Sequence, residues 1–236
     1  MLHIIGLGLN EKGISIEGKE TLKKCKKVYL ENYTVEFPYK LEKLEKIINK
    51  KIISLDRTQV ESEKLVIEAK EKNICLLVYG CPLFATTHIS LIEDCKKNKV
   101  KYKIIYASSV FDAIAESGLQ LYKFGKIASM PTWEKNFTPD SFLDFVKENK
   151  SINAHSLILI DIGLSFKDAL NQLIKGSKNK KFKLNNVLVC SQLGFKSKFY
   201  YNSINKLKKK KIKTPFCFVI PGKLHFLEEE VLEKFT

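Results

Sequence analysis

Arginine is almost missing from this chain: Arg57 is the only one among 41 basic residues, and all the others are lysines. That scarcity counts against a protein that reads bases or grips phosphates through forked guanidinium contacts. No C-x-x-C pair occurs among the six cysteines at 25, 75, 81, 95, 190 and 217. Neither a zinc site nor a disulfide framework is therefore expected, and no metal is called for. The cysteines at 75, 190 and 217 lie in apolar runs and read as small buried hydrophobes. No apolar stretch approaches the roughly 18 residues of a membrane helix. The first apolar stretch has no basic segment before it and no small-residue cleavage site, so 2–7 reads as a strand and not as a leader peptide. Internal repeats and long low-complexity tracts are also lacking. A cytoplasmic protein with no membrane attachment is the expectation.

What is present fits a globular protein. The 236 residues are 44% apolar and 28% charged, enough for a sizeable core in one large domain or two small ones. The net charge of +15 suits electrostatic steering toward an acidic or ribosome-associated partner. With lysine as the cation and the lysines spread along the chain, no direct nucleic-acid binding is expected. The densest run, at 206–211, reads as the coated end of a helix spanning 200–210.

Taken in order, 2–7 is a buried strand, Ser15 opens a helix to about Lys24, and 28–30 is a short strand. Residues 39–50 place Leu41, Leu44, Ile47 and Ile48 on one helical face. A strand at 52–55, a helix at 61–72, the apolar strand 74–79, a helix at 89–97 and a strand at 100–105 follow. This alternation predicts a mostly parallel sheet. A short helix at 111–117 comes next. Residues 124–140, with Gly125, Pro131, Pro139 and the sole tryptophan, Trp133, read as linker and irregular structure. Beyond them come a helix at 140–149, a strong strand at 157–162, a helix at 166–174 and a lysine-rich loop at 175–183. A strand at 187–190, the helix at 200–210, a strand at 217–220 and a last acidic helix from Leu227 complete the chain. The expected division is an N-terminal α/β domain, 1–113, and a C-terminal α/β domain, 114–236.

Candidate ligand-binding residues gather where strands end. Gly6-Leu7-Gly8-Leu9, Gly80-Cys81-Pro82-Leu83-Phe84-Ala85-Thr86-Thr87-His88 and Ala107-Ser108-Ser109-Val110 each follow an apolar strand of the first half. In open α/β sheets ligands bind outside the carboxyl ends of strands. A lone glycine pair is a weak nucleotide signal, because the full G-x-G-x-x-G is absent. The plainer reading of 80–88 is a strand followed by a helix cap, with Thr86 or Thr87 as the N-cap. Asp161-Ile162-Gly163 ends the strongest strand of the second half.

Together with Glu31-Asn32-Tyr33-Thr34, Gly118-Leu119-Gln120-Leu121-Tyr122-Lys123-Phe124-Gly125 and Pro221-Gly222-Lys223-Leu224-His225, these motifs resemble the diphthine synthases. That family lies within the tetrapyrrole-methylase-like, class III methyltransferases. The likeness runs in order from residue 4 to about 232; ATTH followed by GLQ-Y-FG is its most specific part. It implies two α/β domains of the tetrapyrrole methylase type with a cofactor cleft between them, S-adenosyl-L-methionine as cofactor, and a homodimer. It implies repeated methylation of the amino group of a modified histidine on translation elongation factor 2, a step of diphthamide biosynthesis. Cofactor-binding positions carry over to Leu9, Cys81, Phe84, Ser109, Val110, Ile160, Tyr201 and His225. Chain length and the short spacer after Gly125 resemble the archaeal form, which places three methyls on nitrogen, more than the eukaryotic form, which also makes a methyl ester. A small-molecule, tetrapyrrole-like substrate is the alternative.

Two departures stand out. Cys81 occupies the place of the family's usual aspartate, and His155-Ser156 replaces His-Thr, keeping the hydroxyl. No catalytic residue is assigned. Glu31 and His88 could accept a proton from an amine or could serve as structural hydrogen-bonding groups. His225 could face the cofactor or cap the last helix.

Overall fold

A computed structural model describes all residues, 1–236. The chain forms two compact units, Met1–Val110 and Phe111–Thr236.

The first unit is a five-stranded, wholly parallel sheet of β1 (Leu2–Gly6), β2 (Lys27–Glu31), β3 (Ile53–Leu55), β4 (Ile74–Val78) and β5 (Tyr102–Ile105), in the order β3-β2-β4-β1-β5. Helices α1 (Ile16–Lys24), α2 (Leu41–Ile48), α3 (Arg57–Val60), α4 (Lys64–Glu71) and α5 (Ile89–Lys97) connect these strands. All five residues of β1 and of β4 are buried. A parallel sheet covered on both faces needs such continuous apolar runs. Leu2, Ile4, Ile74, Leu76 and Val78 pack with Leu65, Val66, Leu91 and Ile92 of α4 and α5 in one core. Each such side chain contributes about 1.5–3 kcal/mol when buried. The helix starts follow from local chemistry. The Ser15 side chain accepts from the Gly18 amide at 3.0 Å, and Asp56 and Gln59 form a reciprocal capping box. That box opens α3 just ahead of the expected 61–72 helix, which forms as α4.

Helix α6 (Val110–Ala113) passes into a 3-10 turn, Ile114–Ser117. The second unit is a mixed sheet of β6 (Ala128–Met130), β7 (Ser156–Ile160), β8 (Val187–Ser191), β9 (Lys198–Asn202) and β10 (Phe216–Ile220), in the order β6-β7-β10-β8-β9. Only β6 and β7 run parallel. Helices α7 (Phe142–Ser151), α8 (Phe166–Asn179), α9 (Ile204–Leu207) and α10 (Phe226–Glu233) accompany it. Phe142, Leu143, Leu170, Leu173 and Phe218 belong to its separate core.

Three expectations are corrected here. Residues 124–140 contain a strand, β6, which pairs with β7. The lysine-rich stretch from 175 belongs to α8 as far as Asn179, because Leu173, Gly176 and Ser177 remain on its buried face. The helix expected at 200–210 is instead β9 followed by one turn. Phe199 and Tyr200 pair with Cys190 and Val189 of β8, and aromatic cross-strand packing overrides the helical lysines that follow. No helix is long and apolar enough to cross a membrane.

Candidate functional site

In the first sheet β1 lies between β4 and β5. All three run parallel, so their carboxyl ends emerge side by side. The backbone closes them tightly. Gly80 N donates to Gly8 O at 3.0 Å and Gly8 N to Gly80 O at 3.3 Å. Both glycines have left-handed φ, 66° and 73°, where a Cβ is disfavoured. A Cβ on Gly6 would lie 2.7 Å from Gly80 O and 2.9 Å from both Ala107 Cβ and Pro82 Cδ. The loops at 6–9, 80–82 and 107–109 are thus in direct contact at one sheet edge. Leu9 is held there by Tyr79, whose hydroxyl donates to Leu9 O at 2.9 Å.

This edge brings together Leu9, Cys81, Phe84, Ser109 and Val110. Leu9 and Ser109 are buried, and the other three are half-buried. Phe84 N donates to Cys81 O at 3.2 Å, a turn that presents the Cys81 side chain. A Cβ on Gly80 would meet nothing closer than Ser108 O at 3.8 Å. The glycine therefore leaves room on the edge that a side chain would fill.

The loop that follows is anchored from within. His88 begins α5, but neither threonine caps that helix. Thr86 Oγ1 donates to Pro82 O at 3.0 Å, and Thr87 Oγ1 donates to Glu61 Oε1 at 2.9 Å. His88 Nδ1 also reaches Pro82 O, at 2.9 Å. Its other nitrogen, Nε2, lies 3.4 Å from Glu31 Oε2 at the end of β2, and both side chains are sealed from solvent. Glu31 Oε1 accepts from Thr34 Oγ1 at 2.5 Å. Of the two roles left open for this pair, the geometry realises the structural one: they tie the 82–88 loop to the β2 exit. Ala85, within the loop, has φ 54°, a conformation costing roughly 1–2 kcal/mol for a residue with a Cβ.

In the second unit the three carried-over positions do not come together. Ile160 ends β7 opposite Met130, beside the position where Leu159 pairs with Cys217. Tyr201 pairs with Leu188 near the start of β8, and its amide donates to Phe235 O at 2.9 Å. His225 follows the far end of β10, where Ile220 pairs with Ser156, the first residue of β7. The length of β7, roughly 13 Å at 3.3 Å per residue, separates that end from Ile160. His225 caps α10: its Nδ1 accepts from Leu227 N at 3.4 Å.

Sequence reasoning missed the partner of that cap. Glu228, fully buried, accepts from His225 N at 2.8 Å, from Gln120 N at 3.0 Å and from His155 Nε2 at 3.1 Å. It also pairs with Lys123. Burial alone would raise its carboxyl, but these four donors outweigh burial and bring it down to about 2. His155 Nδ1 accepts from Gly222 N at 2.9 Å, so the imidazole is neutral with its proton on Nε2. Burial pushes it below the ordinary histidine value against the pull of Glu228. The 118–125, 155–156 and 221–228 motifs therefore meet at one carboxylate. A histidine three residues before a glutamate, ahead of an apolar run, was the available signal for this reciprocal cap.

A glycine-lined edge at the switch point of a parallel sheet, followed by a second α/β unit with a mixed sheet, defines the tetrapyrrole methylase class. The family model described as Tetrapyrrole (Corrin/Porphyrin) Methylases matches residues 1–207. Within that class, the chain belongs to the diphthine synthase family. It is 37% identical to a diphthine synthase of Methanococcus vannielii over 99% of this chain and 98% of the relative. It is 40% identical to a diphthine methyl ester synthase of Schizosaccharomyces pombe over 75% of this chain and 64% of that protein. A crystal structure of a diphthine synthase superposes with a TM-score of 0.90 at 30% identity, covering 100% of this chain and 95% of that one.

Proposed function

We propose that this chain is an S-adenosyl-L-methionine-dependent methyltransferase of diphthamide biosynthesis. It repeatedly methylates the amino group of the modified histidine of translation elongation factor 2. We further propose that it acts in the cytoplasm as a homodimer. The single observation that carries this reading is the 37% identity to a diphthine synthase over nearly the full chain, and the convergence of three strand exits at Gly6, Gly80 and Ala107 supports it.

The residues present fit the cofactor. With no side chain on Gly80 and no atom closer than 3.8 Å to where a Cβ would stand, a ligand can approach the backbone of this turn closely. Leu9, Cys81, Phe84, Ser109 and Val110 would hold it. On the second unit Ile160, Tyr201 and His225 remain the candidate positions; Tyr201 and His225 stand toward the other end of their sheet from Ile160, and His225 also caps α10. When bound, the cofactor supplies an activated methyl on a sulfonium, so the protein's part is alignment of a neutral amine. Glu31 and His88 are sealed and serve the loop, leaving the amine's proton to solvent.

The test is direct. Labelled cofactor is incubated with elongation factor 2 bearing the unmethylated intermediate, and mass spectrometry counts the methyls. An unlabelled factor would overturn the reading. The 40% identity to the yeast methyl ester synthase favours a second reading, in which one further methyl goes onto a carboxylate. Loss of one methyl under mild alkali would identify it.

A further inference from the structure

The net charge of this protein is not distributed as its lysines are. Between Asp168 and Glu228 there are 59 residues, 169–227, with fourteen lysines and no acidic residue. The remaining 177 residues carry 27 basic and 26 acidic residues. Almost the entire +15 thus belongs to one quarter of the chain. Of these fourteen lysines only Lys180 forms ion pairs, with Asp140 and Asp144. The other thirteen are exposed. Seven of them, Lys196, Lys198, Lys206 and those at 208–211, lie on or beside the last strand of the second sheet, β9; its outer side pairs with no further strand, although the Tyr201 amide there donates to Phe235 O.

We propose that this β9 edge is a docking surface for single-stranded RNA. Lys198 lies on the edge strand, and Lys206 and the lysines at 208–211 lie on the segment just after it. Lys210 is placed over the Tyr200 ring, 5.7 Å from its centroid. A cleft of about 500 Å³ opens in the same segment, lined by Asn185, Asn186, Tyr201, Ser203 and Asn205. It has aromatic and amide groups and no carboxylate. Lys183 and Lys206 flank its lining in sequence. Lysines act as point charges for a phosphate backbone without selecting sequence. An unstacked base can enter a cleft that offers a ring face and amide donors and acceptors, as single strands allow and A-form duplexes do not. An acidic protein would use the lysines but has no need of the amide-lined cleft. The count taken over the whole chain, which argued against nucleic acid, concealed this segregation.

The test is fluorescence anisotropy of labelled oligo(U) and oligo(A) with the full chain across a salt series. Binding should weaken with salt by a log–log slope of roughly 0.7 per phosphate contacted. Combining Lys206→Gln, Lys208→Gln, Lys209→Gln, Lys210→Gln and Lys211→Gln should lower affinity at least about tenfold and flatten the slope. All five are exposed, so the melting temperature should hold. Asn205→Ala with Asn186→Ala should weaken binding at an unchanged slope, since the amides meet bases and not phosphates. Absence of binding at low salt would overturn the proposal, as would wild-type affinity in the lysine variant. Equal affinity for a duplex would refute the single strand. Equal affinity for polyglutamate of matched charge would replace RNA with an acidic protein partner.

Discussion

Glu31 and His88 face each other within the first unit with both side chains sealed from solvent. His88 Nδ1 lies 2.9 Å from a carbonyl oxygen, which can only accept, so Nδ1 carries a hydrogen. Nε2 then faces Glu31 Oε2 at 3.4 Å, and neither atom has a hydrogen-bond partner. Polar atoms sealed from water this way are costly to leave without each other.

This gives a first expectation. Glu31→Gln can accept from Thr34 and donate an amide hydrogen to Nε2, so its stability in urea should lie within about 1 kcal/mol of wild type. Glu31→Ala strands the imidazole and should cost roughly 3 kcal/mol. Equal losses in the two variants would show that the contact between Nε2 and Oε2 plays no part. Cofactor affinity should follow the same order, because the pair fixes the 82–88 loop.

Acid stability should depend on Glu228. Its carboxyl is depressed from 4.5 to about 2, so its contribution is fully present above the unfolded value and is lost as pH falls through the folded one. Between about pH 4.5 and 2 the wild type should lose on the order of 3 kcal/mol that Glu228→Gln, already less stable at neutral pH, has no longer to lose. Parallel pH profiles for the two proteins would contradict this.

Cys81→Asp should tighten cofactor binding in calorimetry. A carboxylate presented by this turn could make a charge-assisted hydrogen bond that a thiol cannot, a gain of about 1–3 kcal/mol. An unchanged affinity would mean that the backbone of the turn already makes the contact.

Gly6→Ala and Gly80→Ala should separate fold from site. Gly6→Ala drives a methyl into three touching loops and should lower stability by about 2 kcal/mol or more. Gly80→Ala meets only ordinary contacts, with Ser108 O at 3.8 Å and Ser109 Cα at 3.9 Å, and its cost is mainly that of its left-handed φ, about 1–2 kcal/mol. Its cofactor affinity should nevertheless fall at least about tenfold. Retained affinity would place the cofactor elsewhere.

The first unit was the more legible in sequence. β1 and β4 are buried on both faces, so their apolar runs are unbroken, and the glycines after them mark close backbone approach. The carried-over residues of that half gather at one edge because order along a parallel sheet makes strand exits neighbours. In the second unit antiparallel pairing reverses which strand ends are neighbours. Ile160 and His225, both just beyond apolar strands, consequently lie at opposite ends. β9 was read as a helix because its aromatic residues precede a lysine run that a helix would also tolerate. The role of Glu228 was hidden because its four donors come from residues as far as 108 positions away.

The strand order also constrains how the protein is made. β1 pairs only with β4 and β5, so this strand, once synthesised, waits until residue 78 is made. At 5–20 residues per second that is on the order of four to fourteen seconds. During this delay an apolar segment, Leu2–Gly6, has no strand partner, while β2 and β3 can already pair with each other. β1 is therefore open to chaperone capture during this interval, and the release point is the arrival of β4.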